Sequence, residues 1–177
     1  MRLGAVIIAA APLLAAPAFA ASAGFEELTI SNGAEAPLTV GIWYPANAPA
    51  TADSAGHGLK LVVMSHGGGG SYDGHYDTAR ALASAGFVVA AVSHAGDTSD
   101  DQSKVLQLWR RPAQLHRLVD YMLAEWSRHG SLDAARVGAF GFSNGGFTVL
   151  VAAGGALTFR GPVRIARSTR IMTCAGP

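Results

Sequence analysis

The 177-residue chain is poor in charge and nearly devoid of cysteine. Only 14% of its residues are Asp, Glu, Lys or Arg, and 13 basic against 12 acidic residues leave a net charge of +1. So balanced a chain carries no electrostatic footprint for nucleic acid. Its one cysteine, Cys174, excludes an internal disulfide and is read as incidental, with no histidine behind it. Histidines 66, 75 and 94 lack tight metal-ligand spacing, and the loop with Asp97, Asp100 and Asp101 lacks an Asp-x-Asp-x-Asp-Gly order, so neither zinc nor calcium is expected. A membrane span needs roughly 20 unbroken apolar residues; the N-terminal apolar stretch is broken by Pro12 and Pro17. One absence outweighs the others. From Asn144 to Pro177 there is no Asp, no Glu and no His.

What is present begins with a leader. Met1-Arg2 is a short positive start, Leu3 to Ala16 is almost wholly apolar, and Ala18-Phe19-Ala20 has the A-x-A form of a signal-peptidase site. Residues 1–20 are therefore expected to be a signal peptide cleaved after Ala20, which predicts a secreted or periplasmic protein. The remainder, in a chain half apolar and rich in glycine, suits one globular domain.

Periodicity predicts the elements. Glu26 to Ser31 and Leu38 to Tyr44 look like two strands, joined by the turn-rich Asn32-Gly33. After a loop from Pro45 to Gly58, Leu59 to Ser65 is a short continuous apolar run of the kind buried in a parallel sheet. Tyr76 to Ala85 is a helix closed by Gly86, Phe87 to Ser93 a second buried strand, and His94 to Ser103 a polar loop. Pro112 sits where a helix would start. Leu115, Leu118, Val119, Met122, Leu123 and Trp126 then form an apolar stripe at i, i+3, i+4, i+7, i+8 and i+11, running toward Gly130. Arg136 to Phe142 is a strand and Gly146 to Ala153 a helix. Alternating strands and helices predict an α/β fold: a mostly parallel sheet with helices on both faces and an antiparallel edge made by the opening pair. Trp109 and Trp126 are expected to pack rather than bind.

Two motifs carry chemistry. Gly141-Phe142-Ser143-Asn144-Gly145 is G-x-S-x-G between a strand and a helix, the context of a nucleophile elbow. A serine hydroxyl is a weak nucleophile, and a tight strand-to-helix turn exposes it, the flanking glycines avoiding clashes. The turn also aims the Asn144 N–H, at a helix N-terminus, at a developing anion. Ser65-His66-Gly67-Gly68-Gly69-Gly70 follows another strand, where the Gly68 N–H is the candidate second oxyanion donor. As a phosphate loop it fails: no Gly-Lys-Ser/Thr follows, and Tyr72 and Asp73 stand where a dinucleotide fingerprint needs glycine. Candidate pocket-lining residues are His66, Gly67, His94 and Tyr72. His94 with one of Asp97, Asp100 or Asp101 could in principle complete a rearranged triad, since triads are recognised by geometry, but a solvated loop at the substrate entrance is the preferred reading.

Val62 to Ser71, Ala81 to His94, Arg111-Pro112 and Gly141 to Gly146 together resemble the dienelactone-hydrolase-like branch of the α/β-hydrolases, related to platelet-activating-factor acetylhydrolases. The resemblance spans about Leu38 to Gly155, the N-terminal half of such a domain. It implies a cofactor-free, exported serine esterase or lactonase acting on small-molecule esters, with Ser143 as nucleophile and Gly68 and Asn144 at the oxyanion positions. The family's acid and histidine lie on later strands and have no counterpart here. The sequence thus predicts a leader over 1–20, the N-terminal part of the hydrolase domain over 21–155, ending after the nucleophile helix, and an atypical tail over 156–177. The tail carries four arginines and no acid, too few to dominate phosphate binding. The competing expectations are an inactive truncated or frameshifted product, and a binding module without chemistry.

Overall fold

The computed structural model describes residues 22–48, 51, 58–156 and 166–167. The proposed leader, part of the Pro45–Gly58 loop, and most of the tail with Cys174 lie outside them.

Five strands form one sheet in the order β1-β2-β4-β3-β5. β1 (Ala23–Ile30) and β2 (Leu38–Pro45) are an antiparallel hairpin, Ala23 opposite Pro45 and Ile30 opposite Leu38. β2 runs antiparallel to β4 (Phe87–Val92). β3 (Leu59–Ser65) is parallel to β4 and to β5 (Leu132–Gly141). The antiparallel edge expected from the sequence is therefore present, and it is the hairpin. A separate two-residue pairing joins β6 (Gly155–Ala156) to β7 (Ala166–Arg167).

Period-two alternation fixes what each face buries. On one face Leu61, Val63, Val88, Ala90 and Val92 pack with Val40 and Ile42 beneath Leu115, Leu118 and Met122 of α2 (Arg111–Ala124). α3 (Asn144–Ala152) lies on this face too, through Val149 and Ala152. On the other face Met64, Val89, Ala91 and Trp43 pack under Ala79 and Ala83 of α1 (Tyr76–Ser84). The alanines are small enough to seat α1 close against the sheet.

Several element boundaries differ from the sequence reading, and those of α2 and β5 have a visible cause. α2 ends at Ala124, short of Gly130, because the Trp126 amide bonds back to the Tyr121 carbonyl and the indole turns into the core, its N–H donating to Glu26. β5 starts at Leu132, since Leu132 pairs with Leu59 across a bulge before Leu61 meets Val137. Trp126 packs as expected, but Trp109 does not: it is 62% exposed on a one-turn 3₁₀ segment before α2.

The site follows from this topology. The helix after β3 crosses one face of the sheet and the helix after β5 crosses the other. The carboxyl ends of these neighbouring strands are thus the place where open α/β sheets bind ligands. The glycine run leaves β3 there, and G-x-S-x-G leaves β5.

Candidate active site

Ser143 connects β5 to α3 with φ +52° and ψ −119°. It is the one non-glycine residue with positive φ among the described residues. Such a conformation costs of order 1–3 kcal/mol and persists only where the surroundings impose it. Here they do. A Cβ on Gly141 would lie 2.2 Å from the Gly145 carbonyl oxygen, and a Cβ on Gly145 would lie 1.9 Å from the Ser65 carbonyl oxygen. Only glycine fits at either place, so the turn closes directly onto the end of β3. The Gly145 amide donates to the Phe142 carbonyl at 2.8 Å, and the Ser143 carbonyl accepts from Gly146 at 2.9 Å, which starts the helix. The Ser143 side chain is exposed and makes no capping hydrogen bond. α3 therefore begins two residues earlier than its sequence suggests, because the turn itself supplies the cap that Gly145-Gly146 would otherwise break.

The glycine loop lies against this turn. The Cβ direction of Gly67 points at the Phe142 ring and the Ser143 Cβ, at 3.4 and 3.6 Å, and that of Gly68 meets the Asn144 Nδ2 at 2.8 Å. Among the described residues, neither the Gly68 nor the Asn144 amide donates a hydrogen bond to the protein. The fold thus brings Ser143, Asn144, Gly67 and Gly68 together, with two uncommitted amides next to an exposed serine.

His66 and His94 sit beneath the loop rather than on a pocket wall. His66 is 3% exposed; its Nε2 accepts the His94 backbone N–H at 3.0 Å, so its proton resides on Nδ1, facing the Gly67 carbonyl at 2.5 Å. His94 is fully buried, with Nε2 2.8 Å from Ser65 Oγ and Nδ1 2.8 Å from Gln114 Oε1. Burial, with the Arg111 charge adding to it, lowers the His66 pKa to about 4 and that of His94 well below its ordinary value. Both rings are neutral near pH 7 with both nitrogens engaged, so neither is placed to take the Ser143 proton. Asp97 is likewise turned inward, and no rearranged triad of Ser143, His94 and Asp97 forms. Asp100 and Asp101 are exposed.

Asp97 and Arg111 form a buried ion pair at 3.4 Å, each about 2% exposed. Asp97 Oδ1 accepts the Gly69 amide at 2.7 Å, where Gly69 has φ +66°. Arg111 Nη2 donates to the His66 carbonyl. Burial lowers the Arg111 pKa to about 10, which still leaves it charged at neutral pH. Sequence reasoning gave no structural role to Arg111 or Gln114. The signal was present: a charged and an amide residue within the first turn of a helix whose next turns are apolar.

Tyr72 leaves the loop in another direction. Its amide donates to Ser93 Oγ at 2.9 Å, its ring packs near Trp43 and Phe25, and its hydroxyl donates to Glu27. That carboxylate pushes the phenol up to about 12. With Phe25, Trp43, Tyr76 and Arg80 it lines a cavity of about 530 Å³ on the β1–β2 shoulder. His75 packs edge-on against Phe140 and Phe142, at 5.4 and 5.3 Å between ring centres. No helix among the described residues is long and apolar enough to cross a membrane, and no cluster of three metal-ligating side chains occurs among them.

No family model matches the chain, and no curated protein matches it. Solved structures do. A ferulic acid esterase from Streptomyces cinnamoneus superposes with a TM-score of 0.62 at 22% identity, over 78% of this chain and 57% of its own. A dienelactone hydrolase-like promiscuous phosphotriesterase from metagenomic libraries gives 0.56 at 20%, over 75% and 54%. A dienelactone hydrolase from Anabaena variabilis gives 0.56 at 20%, over 75% and 58%. The chain spans somewhat over half the length of each of these three structures. At 20–22% identity these structures show the fold of this chain, which is the α/β-hydrolase fold.

Proposed function

We propose that this chain carries the nucleophile and oxyanion half of a serine hydrolase acting on small carboxylic esters or lactones. Ser143 Oγ attacks the carbonyl carbon, and the carbonyl oxygen becomes an oxyanion held by the Gly68 and Asn144 amides. A base takes the serine proton and returns it to the leaving alkoxide. The observation that carries this reading is the exposed Ser143 at φ +52°, with the Gly67-Gly68 loop packed against it. A structural serine has no need of that conformation. The chemistry named for the three similar structures, on carboxylic and phosphoric esters, agrees with an activated serine at this place. Residues 1–20 support export, which N-terminal sequencing of the mature protein tests: a chain beginning at Ala21 is expected.

Incubating the purified chain with a fluorophosphonate tests the reaction. Labelling at Ser143, abolished in Ser143→Ala, is expected; an unlabelled wild type overturns it. A second reading has its own support. Neither His66 nor His94 offers Ser143 a base, since both are buried with both ring nitrogens bonded, and no acid or histidine follows Ser143 in the residues given. If no other group takes the Ser143 proton, the fold binds its ligand without cleaving it. A folded, soluble and unlabelled protein would favour binding.

A further inference from the structure

We infer that the buried Asp97–Arg111 pair is the positioning device of the oxyanion loop, holding its two ends so that the Gly68 amide stays beside Ser143. The inference rests on the hydrolase reading for its consequence, but not for its geometry. Residues Gly67 to Gly70 have no side chains with which to anchor themselves, and glycine loses more conformational freedom on ordering than any other residue. Apart from a turn in which the Gly70 amide reaches the Gly67 carbonyl at 3.3 Å, the loop is held from outside. Arg111 grips the His66 carbonyl just before Gly67, and Asp97 takes the Gly69 amide just after Gly68. Gly68 is the residue between the two grips.

The energetics of the pair point the same way. Burying two charges costs about as much as their attraction returns, and well-packed apolar replacements are commonly neutral or stabilising. Stability alone therefore gives no reason for an ion pair here. The pair's own contact, Arg111 Nη1 to Asp97 Oδ2 at 3.4 Å, is an ion pair without hydrogen-bond geometry, and Arg111 Nε has no hydrogen-bond partner among the described residues. The atoms that do hydrogen-bond, Asp97 Oδ1 and Arg111 Nη2, are spent on the backbone of the loop and of the residue before it. Asp97 lies in the loop that follows β4, and Arg111 opens α2, so the glycine loop is tied to two other parts of the chain.

Two double variants of the full chain separate positioning from stability. Asp97→Leu with Arg111→Met removes both charges and both grips. Asp97→Asn with Arg111→Gln removes the charges but keeps an acceptor for Gly69 and a donor for the His66 carbonyl. Amide hydrogen exchange of Gly68 to Gly70 and the rate of fluorophosphonate labelling are measured on each. The Leu/Met protein is expected to exchange Gly69 at least tenfold faster and to label roughly 100-fold more slowly, the effect of losing one oxyanion donor. The Asn/Gln protein is expected to regain most of both. A Leu/Met protein that folds with wild-type Gly69 exchange overturns the inference. So does an unprotected Gly69 amide in the wild type, which needs no variant to fold. If no protein labels, wild type included, the hydrolase reading falls while the Gly69 exchange still decides the positioning.

Discussion

Acidification should loosen this protein well before its carboxylates titrate. His66 and His94 are neutral in the folded state because burial disfavours their charged forms, whereas in the unfolded chain they protonate near 6.5. Below that pH the unfolded state binds more protons than the folded one, so stability is complete above about 6.5 and is lost as the pH falls toward the folded values. With the His66 pKa lowered to about 4, linkage gives a loss of about 2 kcal/mol by pH 5 and about 3 kcal/mol by pH 4 from this residue alone. His94 adds to it in the same direction. For a domain of this size 2 kcal/mol corresponds to roughly 6–10 °C in Tm. Thermal unfolding at pH 7, 6 and 5 by circular dichroism measures it, in a range where Asp and Glu stay largely ionised. His66→Gln keeps an oxygen for the His94 amide but has nothing to protonate, and should flatten the profile by His66's share. A Tm independent of pH from 7 to 5, or a fall that His66→Gln leaves unchanged, would refute the assignment of neutral, structural histidines.

Two further substitutions test the scaffold. Gly145→Ala drives a methyl group into the Ser65 carbonyl, 1.9 Å from where its carbon would sit; it should abolish labelling and lower stability by several kcal/mol, at the upper end for single substitutions, as read by urea unfolding. Leu118→Ala removes a fully buried side chain from between α2 and the sheet and should cost about 2–5 kcal/mol while leaving the labelling rate of the folded fraction unchanged.

Much of the fold was legible because its signals are local. The core of the run, Leu61 to Met64, is continuous and apolar since both faces of β3 are covered there, and the structure gives β3 the expected bounds, Leu59–Ser65. The stripe of α2 is legible for the same reason, as one helix face meets one sheet face. Ser143 was legible because its turn requires glycines at fixed offsets. The support beneath it was not. Asp97 and Arg111 act on backbone amides and carbonyls, and backbone partners leave no residue type to search for. His94 ends a strand at the carboxyl edge, which suggested the cleft. It is instead buried, because its two ring nitrogens find Ser65 and Gln114 inside. Trp109 failed as a packing residue because the single 3₁₀ turn before α2 has no face to bury.

The contact of Gly145 with the Ser65 carbonyl has a consequence in time. Ser65 ends β3 and Gly145 lies in the first turn of α3, just after β5, so they meet only when β3 and β5 pair in parallel, a non-local event that local structure cannot anticipate and that comes slowly in folding. Until then nothing forces Ser143 out of ordinary backbone angles, and no glycine loop stands beside it. A newly made or still unfolded chain therefore presents a serine of ordinary reactivity. On the proposed hydrolase reading, reactivity at Ser143 would switch on with completion of the sheet, and its appearance would report that β3 and β5 have joined.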